Sequence, residues 1–409
     1  MVRDQQNMKI LMVSAPYPPM PGGVARYTLN LTRAIRKLGF EVYTVCDAQG
    51  NGDFPVLSST NQQDNSDLLL NLIDETKPHA VHVQFEPGLF GGAFDQRHPK
   101  KLKTNIDNFY LKSKTPIVTT FHVGHPTLSQ WIASSSLSKK ALFKKSGRTG
   151  KAGIPVRALI RMWSYSLMFY AVKNTIKEKF RLSKANIVFS YYLSKMLGGG
   201  KVIYHGAEPA IYPPVDKAEA RKKLLIPLDN SNVQRLVLAI GYRLDSKGWD
   251  IIKKLNLPDG WKLLVNTSKG FSEAEDLVLD WGGSSNIIDL KRGFLDEEEL
   301  SLLFYASDAI ILPYKPEAGP SGTMIDALAH GIPFIATDMG FFKEFSAQGM
   351  GITVKRSPQE FSNGIKKLEQ NYSNYVKAVD DFKNNLKWSI VAGEHASIYS
   401  SIMDNKSIK

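Results

Sequence analysis

Short apolar runs recur along the chain, each closed by a polar or Gly-rich turn and followed by a stretch with helical spacing. In the first half, Met8 to Ser14, Phe40 to Cys46, Ala80 to Phe85, Pro116 to His122 and Ala185 to Ser190 read as strands. Val24 to Leu38, Asp67 to Glu75 and Val156 to Phe180 read as helices between them. In the second half the strands are Arg235 to Gly241, Trp261 to Thr267, Asn286 to Leu290, Asp308 to Pro313 and Pro333 to Ala336. Ser321 to Ala329 and Ser357 to Leu368 read as helices, and acids crowd Asp296 to Glu299 as they do in the first turn of a helix. Runs that are apolar at consecutive positions, rather than at every second one, belong to strands covered on both faces. Strand and helix in alternation therefore predict an α/β protein with parallel sheets. Gly50 to Asn65 is polar and reads as a surface loop, and Tyr212-Pro213-Pro214 as a stiff hinge.

With 409 residues there is room for two domains with cores of their own. A composition of 43% hydrophobic and 22% charged residues is that of a soluble globular chain. The single cysteine, Cys46, excludes a disulfide framework and a Cys-based metal site. Residues 1–7 lead directly into a strand, so no signal peptide is expected, and no apolar run approaches the length of a bilayer span. A cytoplasmic location is the default, with the inner face of the membrane open through one segment. Residues 136–181 hold twelve lysines and arginines against one acid, Glu178, which is +11 of the chain's +13. Charge placed so unevenly points to an anionic partner. Ser134 to Pro155 reads as an inserted loop. The helix after it has an uncharged middle, Met162 to Val172, with Trp163, Tyr165, Phe169 and Tyr170. That helix fits either a core element on the first sheet or a segment lying in an anionic membrane surface. Aromatics are too sparse among the loop's lysines for a nucleic-acid module, so no nucleic-acid partner is expected.

The densest chemistry follows the strand that ends at Pro313. Gly319 to Thr323 is a Gly-rich turn opening a helix beyond the carboxyl end of that strand, with Glu317 before it and Asp326 inside the helix. Unpaired N–H groups and the positive end of a helix dipole suit a phosphate there, and the two carboxylates suit nucleotide hydroxyls. From these residues alone, an ordinary capped helix with surface acids remains the other reading. A second strand, turn and helix unit opens the chain, with Gly22 and Gly23 in its turn but no Gly-x-Gly-x-x-Gly. His122 ends a strand, the edge that faces ligands in open α/β sheets. His125 is a weaker candidate, and His79 and His82 read as strand neighbours rather than ligands.

These residues resemble the retaining GT-B glycosyltransferases, a family that includes bacterial and archaeal mannosyl- and glucosyltransferases. The family's donor signature is a Glu-x7-Glu pair followed by Ala-x-Ala-x-Gly-x-Pro. Ala327-Leu328-Ala329-His330-Gly331-Ile332-Pro333 fits its second half, whereas Glu317 and Asp326 have eight residues between them and the second acid is Asp. Gly22-Gly23-Val24-Ala25-Arg26-Tyr27 looks like the family's first glycine motif. Gly241-Tyr242-Arg243-Leu244-Asp245-Ser246-Lys247-Gly248 resembles its Gly-x-Arg-Leu…Lys-Gly motif, with one residue fewer between Arg and Lys.

The resemblance implies two Rossmann-like domains facing each other across a cleft. Residues 1–205 would form the acceptor domain, with a basic insertion at about 134–181, and 206–384 the donor domain. Residues 385–409 would be a helix crossing back. It implies transfer of a hexose from a UDP- or GDP-linked sugar to an acceptor hydroxyl in glycolipid, polysaccharide or glycan synthesis, without cofactor or metal. Arg243, Lys247, Ser321, Gly322 and Thr323 would hold the diphosphate, Asp326 the ribose, and Gly22 and Gly23 would approach the donor. His122 and Glu317 would stand at the transfer point. The acceptor is left open, with a lipid-linked or anionic molecule suited to the basic segment and peripheral contact of 136–181 with an anionic membrane. A nucleotide-sugar 2-epimerase of the same architecture and a catalytically silent relative are the alternatives.

Overall fold

The apolar runs assemble into two parallel sheets in a computed structural model that describes residues 8–60, 63–94, 100–125, 156–226, 235–269, 277–282, 284–315 and 319–404. The chain divides into two units, one of residues 1–206, 318–320 and 388–409, the other of 207–317 and 321–387. The first contains β1 (Lys9–Val13), β2 (Glu41–Asp47), β3 (Phe54–Leu57), β4 (Ala80–Phe85), β5 (Ala93–Phe94), β6 (Leu102–Lys103), β7 (Ile117–Phe121), β8 (Ala185–Val188) and β9 (Lys201–Val202). Seven of these form one sheet in the order β3-β2-β1-β4-β7-β8-β9, and β5 pairs with β6 separately. Ile10 of β1 lies between Val42 and Ala80, all three buried, which is why this run is apolar at consecutive positions.

Helix Gly23–Lys37 returns the chain from β1 to β2. It buries Ala25, Thr28, Leu31, Thr32 and Ile35, a stripe at three- and four-residue spacing. The C-terminal helix Trp388–Asp404 packs against it within the same unit. Val391, Ala392, His395, Tyr399 and Ile402 carry this helix into the core. Strand β3 lies within the segment expected to be a surface loop, because its flanks are polar on either side. Asp53 fastens it to the sheet edge: one carboxylate oxygen accepts from the N–H and hydroxyl of Thr44, both at 2.7 Å, and from Arg36 at 2.6 Å.

The second unit contains β10 (Arg235–Tyr242), β11 (Trp261–Ser268), β12 (Ile287–Asp289), β13 (Ala309–Leu312), β14 (Phe334–Thr337) and β15 (Gly351–Val354). They form a parallel sheet in the order β12-β11-β10-β13-β14-β15. In both sheets the winding reverses beside the first strand, the doubly wound arrangement whose ligand crevice lies beyond the carboxyl ends of the strands at that point. The α/β class expected from the alternation is therefore the one observed. Residues 338–344, which resemble the family's loop after its central helix, are only partly loop, since helix Gly340–Ser346 starts at Gly340 and buries Phe341, Phe342 and Phe345. No helix among the described residues is long and apolar enough to cross a membrane.

Tyr399 is fully buried and its hydroxyl lies 2.6 Å from His82 Nδ1. Tyr399→Ala should therefore cost about 3–5 kcal/mol of stability. Urea unfolding monitored by circular dichroism checks this, and a loss below about 1 kcal/mol would show that the C-terminal helix is not part of the core.

Candidate active site

At the reversal point of the second sheet, two loops leave adjacent strands. The first follows β10 and carries Arg243 and Lys247, the latter in a short 3-10 turn, Asp245–Lys247. Gly248 ends that turn at φ +80°, and a Cβ there would lie 2.0 Å from the Pro313 carbonyl oxygen. Only glycine lets the loop rest this closely on the end of β13. The Lys315 N–H donates to the Ser246 carbonyl at 2.8 Å, and the Lys315 ammonium pairs with Asp245. The Lys247 ammonium stands 4.1 Å from the centre of the Tyr314 ring, a cation–π contact that holds it on the β13 side. Arg243 is fixed through its backbone, its N–H donating to Ser268 and its carbonyl accepting from Leu277, both at 2.9 Å.

The second loop follows β13 and leads into helix Gly322–Ala329. Ser321 caps this helix, its hydroxyl accepting the Met324 N–H at 3.2 Å and its carbonyl the Ile325 N–H at 3.2 Å. The N–H groups of Gly322 and Thr323 are thus left without an intrahelical acceptor. A Cβ on Gly322 would meet nothing within 4 Å. Asp326 lies one turn further on, where its carbonyl is 2.7 Å from His330 Nδ1; His330 Nε2 reaches Ser301 at 3.0 Å. The structure therefore sets Arg243 and Lys247 on one of these loops, and Ser321, Gly322, Thr323 and Asp326 on the other loop and its helix. Glu317 lies outside the described residues, as does the basic loop 134–155.

In the first unit, Gly22 precedes helix Gly23–Lys37 at φ 134°, a conformation that other residues rarely adopt, and no side chain caps that helix. A Cβ at Gly22 or Gly23 would meet nothing within 4 Å. His122 follows β7 and is buried, with ring contacts to Tyr27 at 5.2 Å and Phe189 at 5.1 Å. Its Nε2 lies 2.8 Å from Gln84 Oε1. The amide oxygen can only accept, so Nε2 carries the proton and Nδ1 is the ring's acceptor. The buried His125 Nε2 has no partner among the described residues. His79 Nδ1 accepts the Lys9 N–H at 2.9 Å, and His82 lies in the core.

Comparison with curated proteins gives no match. Among solved structures, the chain is similar to a sucrose-phosphate synthase from Thermosynechococcus elongatus at 14% identity and TM-score 0.67, over 97% of this chain and 100% of that one. It is similar to a glycosyltransferase from Rickettsia africae ESF-5 at 16% and 0.61, over 98% and 99%. Anabaena Alr3699/HepE in complex with UDP aligns at 15% and 0.62, over 96% and 100%. At such identities the likeness shows a common fold. Residues 21–182 match the family described as Glycosyltransferase Family 4, and residues 252–371 the family described as Glycosyl transferases group 1. The chain is a GT-B glycosyltransferase.

A polar ladder that the sequence does not reveal positions His122 in this glycosyltransferase. The Gln84 amide nitrogen donates to His82 Nε2 at 3.3 Å, and Thr120 donates to the same atom at 2.7 Å. His82 Nδ1–H then faces the Tyr399 hydroxyl. Gln84 and His82 are two apart on β4, and two polar residues on one face of an otherwise apolar buried strand were the available signal. His205, Tyr27 and Trp388 complete the surroundings; Tyr27 lies 4.8 Å from the His205 ring and 5.5 Å from Trp388.

Burial, and then the neighbouring His205, lowers His122 to about 3. Burial lowers His395 to about 4 and, with the neighbouring His395 and His122, holds His82 well below its ordinary value. In the unfolded chain these rings protonate near pH 6.5. As pH falls below that value the unfolded state takes up protons that the folded state refuses. The stability from these neutral rings is therefore complete above about pH 6.5 and drains away towards pH 4, by up to about 1.4 kcal/mol per pH unit for each ring. Denaturant midpoints should fall between about pH 7 and pH 5, less steeply for His395→Gln. Midpoints independent of pH would contradict the assignment of neutral rings.

Proposed function

We propose that this glycosyltransferase moves a hexose from a UDP- or GDP-linked donor to an acceptor hydroxyl with retention of anomeric configuration, in glycolipid, polysaccharide or glycan synthesis. One observation carries the reading: two helix N–H groups without an intrahelical acceptor, at Gly322 and Thr323, stand at the same sheet reversal as a loop bearing Arg243 and Lys247. Such a site suits a diphosphate, because backbone amides, a helix dipole and two cations all favour negative charge. The Anabaena relative, solved with UDP and with UDP-glucose, supports the donor class. In this reading residues 206–384 are the donor domain, 1–205 the acceptor domain, and 385–409 the helix that returns to it.

Arg243, Lys247 and the two amides take up charge as the bond between the anomeric carbon and the phosphate oxygen breaks. A bond from the acceptor oxygen to that carbon forms on the same face, and the acceptor's proton passes to the departing phosphate oxygen. Atoms and charge balance without a protein nucleophile. Asp326 accepts from the ribose hydroxyls, Glu317 from a hydroxyl of the sugar, and Gly22 and Gly23 let the backbone approach the donor. His122, neutral and tethered through Nε2 to Gln84, offers Nδ1 as an acceptor at the transfer point rather than a positive charge.

Release of nucleoside diphosphate only when acceptor is added tests the reading. Turnover of the nucleotide sugar without acceptor would point to an epimerase, and binding without turnover to a silent relative. Arg243→Ala with Lys247→Ala should weaken calorimetric affinity for the nucleoside diphosphate at least about 100-fold, since each removes a charge-assisted contact of about 1.5–3 kcal/mol. Unchanged affinity in a folded variant contradicts the site. Asp326→Asn should reduce nucleotide affinity more than Glu317→Gln, and the reverse order overturns their assigned roles.

A further inference from the structure

We infer that the outward face of helix Val156–Leu182 is a docking surface for an anionic lipid bilayer. Trp163, Tyr170, Asn174, Lys177 and Arg181 follow one another at spacings of seven, four, three and four residues, which return to the same side of an α-helix. The opposite side is committed to the core, where Ala171, Thr175, Ile176 and Lys179 are buried. Trp163 is nevertheless 67% exposed and Tyr170 49%. Two large aromatic rings thus stand outward on a helix that already has a core face.

The cations of the stripe are gathered at its other end. Lys177 and Arg181 border a hollow of about 340 Å³ together with Lys100 and Lys101. The Asn174 amide donates to the Lys100 carbonyl at 2.7 Å, which fixes that chain beside the helix. The hollow's one acid, Glu178, is engaged by Lys101 at 3.0 Å and by buried Lys179 at 3.5 Å. Among the described residues, no acid forms an ion pair with Lys100, Lys177 or Arg181.

A helix lying in the plane of a bilayer surface uses this combination, with Trp and Tyr at headgroup depth and Lys and Arg at the lipid phosphates. A nucleic acid would favour aromatics interleaved with cations along the groove. Here the aromatics occupy one end of the stripe and the cations the other, which favours a surface that offers apolar depth as well as charge. The inference does not depend on the donor site.

The test is sedimentation of the full chain with vesicles of phosphatidylcholine, with and without phosphatidylglycerol. Binding is expected only when phosphatidylglycerol is present, with a blue shift in tryptophan emission that Trp163→Phe abolishes. Lys177→Gln with Arg181→Gln should lower the partition coefficient about 30-fold, from about 1 kcal/mol for each cation near the surface. Trp163→Ala with Tyr170→Ala should lower it at least about tenfold at the same salt concentration. Equal binding to both kinds of vesicle, or unchanged partition in either double variant, would overturn the inference. Full vesicle binding without the aromatics, displaced by heparin, would assign the face to a soluble polyanion instead. Donor affinity measured on the same variants should not change, so failure here leaves the transfer reading standing. Arg181→Lys, which keeps the charge, should bind as the parent does; loss in that variant as well would also count against the inference.

Discussion

The second unit depends on one close approach, Gly248 against the Pro313 carbonyl. No side chain fits there, and the backbone is left-handed, so the loop after β10 can lie on the end of β13 only with glycine at that position. The loop that carries Arg243 and Lys247 takes its place from that contact. It sets Ser246 where the Lys315 N–H bonds to it, and Lys247 over Tyr314. Arg356 strengthens the same corner by donating to Pro313 at 3.1 Å while pairing with Asp250. The loop bearing Arg243 and Lys247 is thereby fastened to the end of β13, and pre-organisation of this kind reduces the ordering cost of binding.

The first unit solves a different problem. Its core contains polar side chains that a sheet interior would ordinarily exclude, and four of them partner one another in turn: His122 with Gln84, Gln84 with His82, His82 with Tyr399. His395 belongs to the same set, donating from Nδ1 to the Val391 carbonyl at 2.7 Å, with Nε2 3.5 Å from the Tyr27 hydroxyl. Buried polar networks are stable only when complete, and here completion requires the C-terminal helix, which supplies both His395 and Tyr399. A helix at the far end of the sequence thus supplies the last member of the ladder that leads to His122.

How far the sequence could be read follows from these particulars. Most strands of the two sheets were legible because consecutive apolar residues are the mark of a doubly covered strand, as Ile10 to Val13 and Ile310 to Leu312 are, whereas the edge strands Lys201–Val202 and Gly351–Val354 were not read. The Gly319 to Thr323 turn was legible as a strand-to-helix turn, and the Arg243 to Gly248 loop by its resemblance to a family motif. Strand Phe54–Leu57 was not, because it is held by the Asp53 carboxylate acting on Thr44, a tertiary contact with no local periodicity. The ladder behind His122 was equally hidden, since His82 and Tyr399 are 317 residues apart in the chain. For helix Val156–Leu182 the composition left two readings open, and packing divides them: Phe169, Ala171 and Ile176 go to the core while Trp163 and Tyr170 stay outside.

The central claim is that the amino end of helix Gly322–Ala329 receives the diphosphate of a nucleotide-linked donor. A crystal structure of the protein with UDP or GDP bound tests it most directly. The account predicts terminal-phosphate oxygens within about 3 Å of the Gly322 and Thr323 nitrogens, with the Arg243 and Lys247 side chains on the same phosphates. A nucleotide bound elsewhere, with those two amides facing only water, would contradict it.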